Sequence, residues 1–359
     1  MGVQTGRTHA RRKKCKCECH FLTAGLVAVS FLVFLGLSAL HLPEPFALKP
    51  ATALPEVTLL VWTHPFGRKQ RLPDCLARYG VYGCELTDDQ RAYTYADGVL
   101  VHHRDVVSGT ADLPPEEGRP PGQKWIWLNY ESPSHTQGLR GLEGLFNLTM
   151  SYRADSDIFL PYGYLVPKHG NGRPLTKTSR ASRPGFVAWV VSNWAESQAR
   201  VAFYYELSQY IEVDVFGQAG IRIPKGSKEV VQTLRRYYFY LALENSQHTQ
   251  YITEKLWNAV SAGAVPVVLG PTRKDYERFL PPEAFIHVDD FPSVKELARY
   301  LLQLKREPVR LMWHLRWRTG FGLHQPAFWS EHYCTACKAL RKTVGQTHVV
   351  HDLTQWFDS

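Results

Sequence analysis

The chain has 359 residues, 44% hydrophobic and 13% aromatic, which fills the cores of two ordinary domains and excludes a disordered protein. Of its net charge of +9, residues 1–42 carry +5, from Arg7, Arg11, Arg12, Lys13, Lys14 and Lys16 against Glu18. The remaining +4 suits a small anionic ligand, and no basic run with interleaved aromatics tracks a phosphate backbone, which excludes nucleic acid as the partner.

The basic head, residues 1–20, runs into FLTAGLVAVSFLVFLGLSAL over 21–40, twenty uncharged residues that match the thickness of a hydrocarbon core as a helix. This predicts a transmembrane signal anchor. The cluster of Lys and Arg before it keeps the head cytosolic and sends the rest of the chain across the membrane, a type II topology. A cleaved signal peptide is the alternative, with a shorter apolar stretch and a small-residue cleavage site. Cys15, Cys17 and Cys19 lie on the cytosolic side, open to acylation or unbonded. Residues 41–56, HLPEPFALKPATALPE, are proline-rich without periodicity and read as a stem.

A first domain is predicted over 57–175. Its strands are VTLLVW (57–62), GVLVHH (98–103), KWIWLNY (124–130) and DIFLPYG (157–163), short apolar runs ending in polar residues. The Gly-, Pro- and basic-rich stretch 167–185 reads as a linker. A second domain over 176–330 alternates strands and helices: FVAWVVS, AESQARVAFYYELSQY, EVDVFG, YYFYLALE, YITEKLWNAVSAG, AVPVVLG and SVKELARYLLQL. That alternation predicts a parallel sheet with helices on both faces, whose ligands sit beyond the carboxyl ends of its strands. Residues 331–359 follow as a tail. Beyond the predicted span the cysteines are Cys75, Cys84, Cys334 and Cys337, an even set in an oxidising compartment, which favours two disulfides over zinc. Asn147 in NLT is a glycosylation sequon expected on a lumenal surface.

Polar clusters fall where a ligand is expected. Ser192 and Asn193 end one strand, with Arg200 about two turns into the next helix; Glu244 and Asn245 end another. YITEK then opens a helix whose N-terminal amides favour an anion, with Lys255 adding charge. Glu131, at the end of an aromatic strand, is a candidate general base, with His102 and His103 as candidate assistants. Asp155-Ser156-Asp157 has the form of a metal-binding DxD but precedes a strand, so capping or pairing with Arg153 is the expected use.

HHRDV, QKWIWLNYESPSHT, LFNLTMSYRADSDIFLPYG, AWVVSNW, VDVFG, ENSQHTQYITEKLWNA and VPVVLGPTRKDYERFLPPEAFIHVDDFPS resemble, in order and from about residue 56 onward, the vertebrate alpha-1,3-fucosyltransferases of glycosyltransferase family 10. The resemblance implies a GT-B architecture, two Rossmann-like domains facing across a cleft. The implied reaction moves fucose from GDP-fucose, with inversion, to the 3-hydroxyl of N-acetylglucosamine in type 2 N-acetyllactosamine, giving Lewis x or sialyl Lewis x on glycoproteins and glycolipids. Glu131 resembles the general base, Arg200 and Lys255 the cations that meet the departing diphosphate, and Tyr162, Ser192, Asn193, Tyr240, Glu244, Asn245, Tyr251 and Glu254 the rest of the donor wall, with Glu244 near the fucose. Arg104 stands where relatives that make alpha-1,4 linkages carry Trp, which implies type 2 chains. The resemblance further implies disulfides Cys75–Cys334 and Cys84–Cys337, with local pairs as the alternative. It requires no cofactor or bound metal, with Mn2+ no more than a stimulant; it places the chain in the Golgi membrane and admits a homodimer. Competing readings are a metal-dependent GT-A transferase using Asp155 and Asp157, and a membrane lectin without catalysis.

Overall fold

A computed structural model of the chain describes residues 56–168, 183–224 and 226–359. Among them no helix is long and apolar enough to cross a membrane. The predicted span at 21–40, and most of the predicted stem and linker, lie outside these residues.

Two parallel sheets organise the fold. In the first, β1 (Val57–Val61), β2 (Cys84–Thr87), β3 (Gly98–His102), β4 (Lys124–Leu128), β5 (Leu148–Ser151) and β6 (Ile158–Phe159) run in the order β2-β1-β3-β4-β5-β6. β7 (Tyr164–Pro167) leaves that sheet. The second is built from β8 (Gly185–Val191), β9 (Asp214–Gly217), β10 (Tyr237–Leu243), β11 (Val265–Leu269) and β12 (Ile286–His287), in the order β12-β11-β10-β8-β9. β13 (Phe321–His324) returns to pair antiparallel with β7. The predicted strand over 157–163 is thus short: only Ile158 and Phe159 pair with β5, and the chain then turns away at Pro161.

Alternation along β10 explains the helices on both faces of the second sheet. Phe239, Leu241 and Leu243 pack with Val201 and Leu207 of helix Ala199–Leu207 and Leu297, Leu301 and Leu304 of helix Val294–Arg306. Tyr240 and Ala242 point the other way, onto Leu256, Trp257 and Val260 of helix Glu254–Ala262. Ser293 caps helix Val294–Arg306, its hydroxyl accepting from Glu296 N at 3.3 Å.

The first core is completed from the far end of the chain. Helix Ser330–Thr343 lays Tyr333, Ala336, Cys337 and Leu340 against β1, β2 and β3, and Leu353 and Phe357 of helix Leu353–Asp358 enter the same cluster. Disulfides Cys75–Cys334 and Cys84–Cys337 fasten that arrangement across sequence separations of 259 and 253.

Asn147 departs from the expected surface sequon. It is 9% exposed. Its Oδ1 accepts from Trp125 N at 2.9 Å and Arg119 Nη2 at 2.5 Å, and its Nδ2 donates to His348 O at 2.7 Å. In the folded chain the nitrogen that would carry a glycan is committed to a main-chain carbonyl, because a buried amide has to satisfy its donors.

Candidate active site

Because β1, β3 and β4 are parallel, the residues after their carboxyl ends gather at one edge. These are Phe66, Arg104 and Glu131. Glu131 is 27% exposed at its side chain, and Arg104 Nη1 lies 3.5 Å from its Oε1. The Arg104 guanidinium also sits 5.6 Å from the centre of the Phe66 ring. Phe66 has the left-handed backbone φ of 63°, which a non-glycine residue rarely adopts. Its amide donates to both carboxylate oxygens of Asp105 at 3.1 Å, and Asp105 is buried against His102 Nδ1 at 2.9 Å. His102 therefore supports this corner. His103 is likewise structural: its Nδ1 accepts from Trp127 Nε1 at 3.1 Å, and burial pulls its pKa down to about 4.

The loop bearing Glu131 is tied internally. Glu131 N donates to Asn129 Oδ1 at 3.2 Å, Asn129 Nδ2 to Thr136 Oγ1 at 2.9 Å, and Thr136 Oγ1 to Ser132 O at 2.9 Å. Asn129 and Ser132 are fully buried.

At the second sheet, β8 ends in exposed Ser192 and Asn193, and the Asn193 carbonyl accepts from Arg200 Nη2 at 2.5 Å. Arg200 Nε donates to Gln198 Oε1 at 2.8 Å, so the guanidinium is held beneath this turn. Burial lowers its pKa, opposed by Glu244, Tyr251, Tyr240 and Glu254, which identifies its neighbours. An arginine remains charged under such a shift.

β10 ends at Glu244, whose side chain is buried and fully engaged. Oε1 accepts from Thr253 N at 2.8 Å, and Oε2 from Lys255 Nζ at 2.9 Å. Thr253 Oγ1 lies 3.0 Å and 2.9 Å from the two oxygens. Burial raises the Glu244 pKa and Lys255 counters it. For Lys255, burial disfavours the charge, yet Glu244 and Glu254 outweigh it and raise the pKa above the ordinary lysine value. Glu254, half-exposed, stands 3.5 Å from Lys255.

Glu244 lies buried beneath Lys255 and Thr253, whose donors satisfy its carboxylate, since a buried carboxylate requires donors. Its carboxylate also occupies the start of helix Glu254–Ala262, so the first anion met there belongs to the protein. The helix begins three residues later than YITEK suggested. Tyr251 and Ile252 serve as buried anchors, and Gln250 takes a φ of 59° to turn the chain. Close packing continues behind Glu244, where a Cβ on Gly270 would meet the Tyr276 hydroxyl at 2.5 Å.

Segment 244–255 docks onto the first sheet's core. Tyr251 belongs to that cluster and packs edge-on to Tyr152 at 5.2 Å. Gln250 Oε1 accepts from Ala154 N at 2.7 Å. Ser246 Oγ donates to Ser132 Oγ at 2.7 Å and also lies 3.2 Å from Asn245 Oδ1. His248 Nε2 lies 2.6 Å from Ser134 Oγ and 3.3 Å from Ser134 N. Tyr162 donates to Tyr130 O at 2.5 Å. Burial raises the phenol pKa of Tyr162 and Tyr251, and Glu131, Glu244 and Glu254 push both further up, so the two rings lie in the field of carboxylates from both sheets. Tyr240 is buried beside them, its pKa raised by burial and lowered by Lys255. The structure therefore unites Glu131 and Arg104 at one edge, and Arg200, Tyr240, Glu244, Asn245, Tyr251, Glu254 and Lys255 at the other. Ser132, Ser134, Ser246, His248, Gln250 and Phe66 were not anticipated; the surplus of hydrogen-bonding side chains in NYESPSH and ENSQH was the signal for most of them.

The DxD residues are occupied elsewhere. Asp155 pairs with Arg153 at 2.8 Å, and Asp157 Oδ2 accepts from Thr149 N at 2.7 Å and Thr149 Oγ1 at 2.8 Å. Among the described residues no group of three His, Cys, Asp or Glu side chains is arranged to hold a metal ion.

Residues 54–163 match "Fucosyltransferase, N-terminal", and residues 180–356 match "Glycosyltransferase family 10 (fucosyltransferase) C-term". The chain is 47% identical to alpha-(1,3)-fucosyltransferase 4 of Bos taurus over 94% of each protein. It is 44% identical to the Homo sapiens protein of that name, over 95% of this chain and 71% of the other. It is also 44% identical to the 4-galactosyl-N-acetylglucosaminide 3-alpha-L-fucosyltransferase FUT5 of Homo sapiens, over 95% and 96%. A crystal structure of an alpha1,3-fucosyltransferase with GDP-fucose superposes with a TM-score of 0.54 and 17% identity, over 87% of this chain and 96% of that one, a likeness of fold. The chain belongs to the glycosyltransferase family 10 fucosyltransferases.

Proposed function

We propose that the chain transfers L-fucose from GDP-beta-L-fucose to the 3-hydroxyl of N-acetylglucosamine in type 2 N-acetyllactosamine glycans of glycoproteins and glycolipids, forming Lewis x or sialyl Lewis x. The observation that carries this reading is the docking of segment 244–255 against the Glu131 loop, which brings the Glu131 carboxylate together with a strand end whose Lys255 is held by Glu244. Glu131 takes the proton as the acceptor oxygen attacks C1 of fucose; the bond from C1 to the GDP oxygen breaks on the opposite face, and the beta-linked donor gives an alpha-linked product. Lys255 and Arg200 stabilise the charge gathering on the diphosphate. Both are immobilised beforehand, Lys255 by Glu244 and Arg200 by Asn193 and Gln198, so little reorganisation is needed when that charge develops.

Ser192, Asn193, Asn245 and Glu254 complete the donor wall on this reading, with Tyr162, Tyr240 and Tyr251 behind it. Arg104 and Phe66 flank Glu131 on the acceptor side and favour type 2 chains. Residues 21–40 anchor the protein as a single-pass type II protein in the Golgi membrane, with the catalytic part lumenal and organised as domains over 57–175 and 176–330; the membrane-anchored form admits a homodimer. Asp155 and Asp157 are already engaged, which supports metal-independent transfer with Mn2+ at most stimulating. The test is fucosyl transfer by the lumenal part to sialylated and neutral, type 1 and type 2 acceptors, with EDTA present. Product on type 2 acceptors is expected; transfer abolished by EDTA would sink the metal-free scheme, and transfer confined to type 1 acceptors the role of Arg104.

A further inference from the structure

We propose that His248 is a positioning residue: its imidazole latches the loop that carries Glu131 to the donor-side strand end and so sets the distance between base and donor. The inference rests on the transfer reading above. Glu131 and the donor cations sit on different sheets, and a misplacement of about 1 Å at a reacting centre costs about a hundredfold in rate. Something has to fix their separation. The Glu131 loop is stiffened from within by Asn129, Thr136 and Ser132, so an attachment at Ser134 moves Glu131 with it. His248 makes that attachment from the segment that also holds Glu244 and Lys255, and Ser246 with Ser132 makes a second one beside it.

The contact selects one protonation state. Ser134 N–H can only donate, so Nε2 accepts and the ring is neutral with its proton on Nδ1. A proton added to Nε2 would face the Ser134 amide, and the ring would keep only its contact with the Ser134 hydroxyl. Three influences act on this ring: burial lowers the imidazole pKa, Asp358 draws it up, and His135 pushes it down, for a net value below the ordinary one. The latch thus has both contacts at neutral pH and is weakened on acidification below the usual histidine range, as the amide contact is lost.

Two variants separate this role from simple packing. His248→Ala is expected to lose between about tenfold and a hundredfold in kcat with GDP-fucose KM unchanged. His248→Gln keeps an acceptor at similar reach but cannot titrate; it is expected to retain most of kcat and to carry its acid limb to lower pH. A wild-type kcat in His248→Ala, an equal loss in both variants, or coincident acid limbs for wild type and His248→Gln would each overturn the latch. Deuterium exchange at the Ser134 amide reads the same contact without turnover: it should be slow in the wild-type chain and fast in His248→Ala, and equal rates would overturn the proposal. Absence of fucosyl transfer by the wild-type protein would instead refute the assigned reaction.

Discussion

Arg104 Nη1 stands 3.5 Å from Glu131 Oε1, and the same guanidinium lies over the ring of Phe66. A cation so placed holds the Glu131 carboxylate at the strand-end edge. Arg104 is mostly exposed, so the pair contributes little to stability. Glu131→Gln is expected to lower kcat by about a hundredfold to ten-thousandfold while GDP binding by calorimetry stays unchanged. An active Glu131→Gln enzyme would remove Glu131 from the role of base.

Lys255 and Glu244 form a buried pair whose members cannot be removed singly without cost. Lys255→Met would strand the Glu244 carboxylate with only Thr253, a loss on the order of 3 kcal/mol. Adding Glu244→Gln removes the stranded charge, so the double variant should regain most of the thermal stability while GDP-fucose KM remains high. Recovery of donor KM along with stability would show Lys255 to be a structural residue only.

Acid stability should track His332. Its ring is fully buried between Tyr130 at 4.7 Å and Phe328 at 4.3 Å, and burial lowers its pKa from 6.5 to about 3. In the unfolded chain the ring takes a proton below the ordinary 6.5, which the folded chain refuses until about 3. Its contribution is therefore complete above 6.5 and is lost as pH falls through that window, by up to about 1.4 kcal/mol per pH unit. His332→Phe should flatten the fall in urea midpoint between neutral and mildly acidic pH. Parallel curves for the two proteins would contradict this.

Phe66 offers a separate handle on the acceptor side. Its left-handed backbone costs a non-glycine residue on the order of 1 kcal/mol, and the residue is 43% exposed with its ring beside Arg104. Phe66→Gly relieves the backbone and deletes the ring. Acceptor KM should rise severalfold with donor KM unchanged and little change in melting temperature; an unaltered acceptor KM would remove the ring from the acceptor side.

The strands of the second sheet were legible because burial on both faces writes them as unbroken apolar runs, FVAWVVS, YYFYLALE and AVPVVLG. β2 and β5 were missed: CELT and LTMS are short and carry polar residues that only their tertiary neighbours explain. Helix Ser330–Thr343 was likewise unread, though it supplies the cover of the first sheet. At the site, residue identity was readable and direction was not. Glu244 looked like a cleft residue until its depth and its bonds to Thr253 and Lys255 were known. His248 could be assigned only once Ser134, 114 positions away, stood beside it.

The first sheet borrows its cover from residues 330–358, and that has a consequence for biosynthesis. A nascent chain paused after β12 has every strand of both sheets but lacks Tyr333, Leu340, Leu353 and Phe357 for its earlier core. The second sheet, whose helices arise between its own strands or directly after the last of them, can mature as it is made, whereas the half synthesised first waits for the last segment to emerge. Truncations near the C-terminus should therefore unfold the beginning of the protein and leave its middle intact.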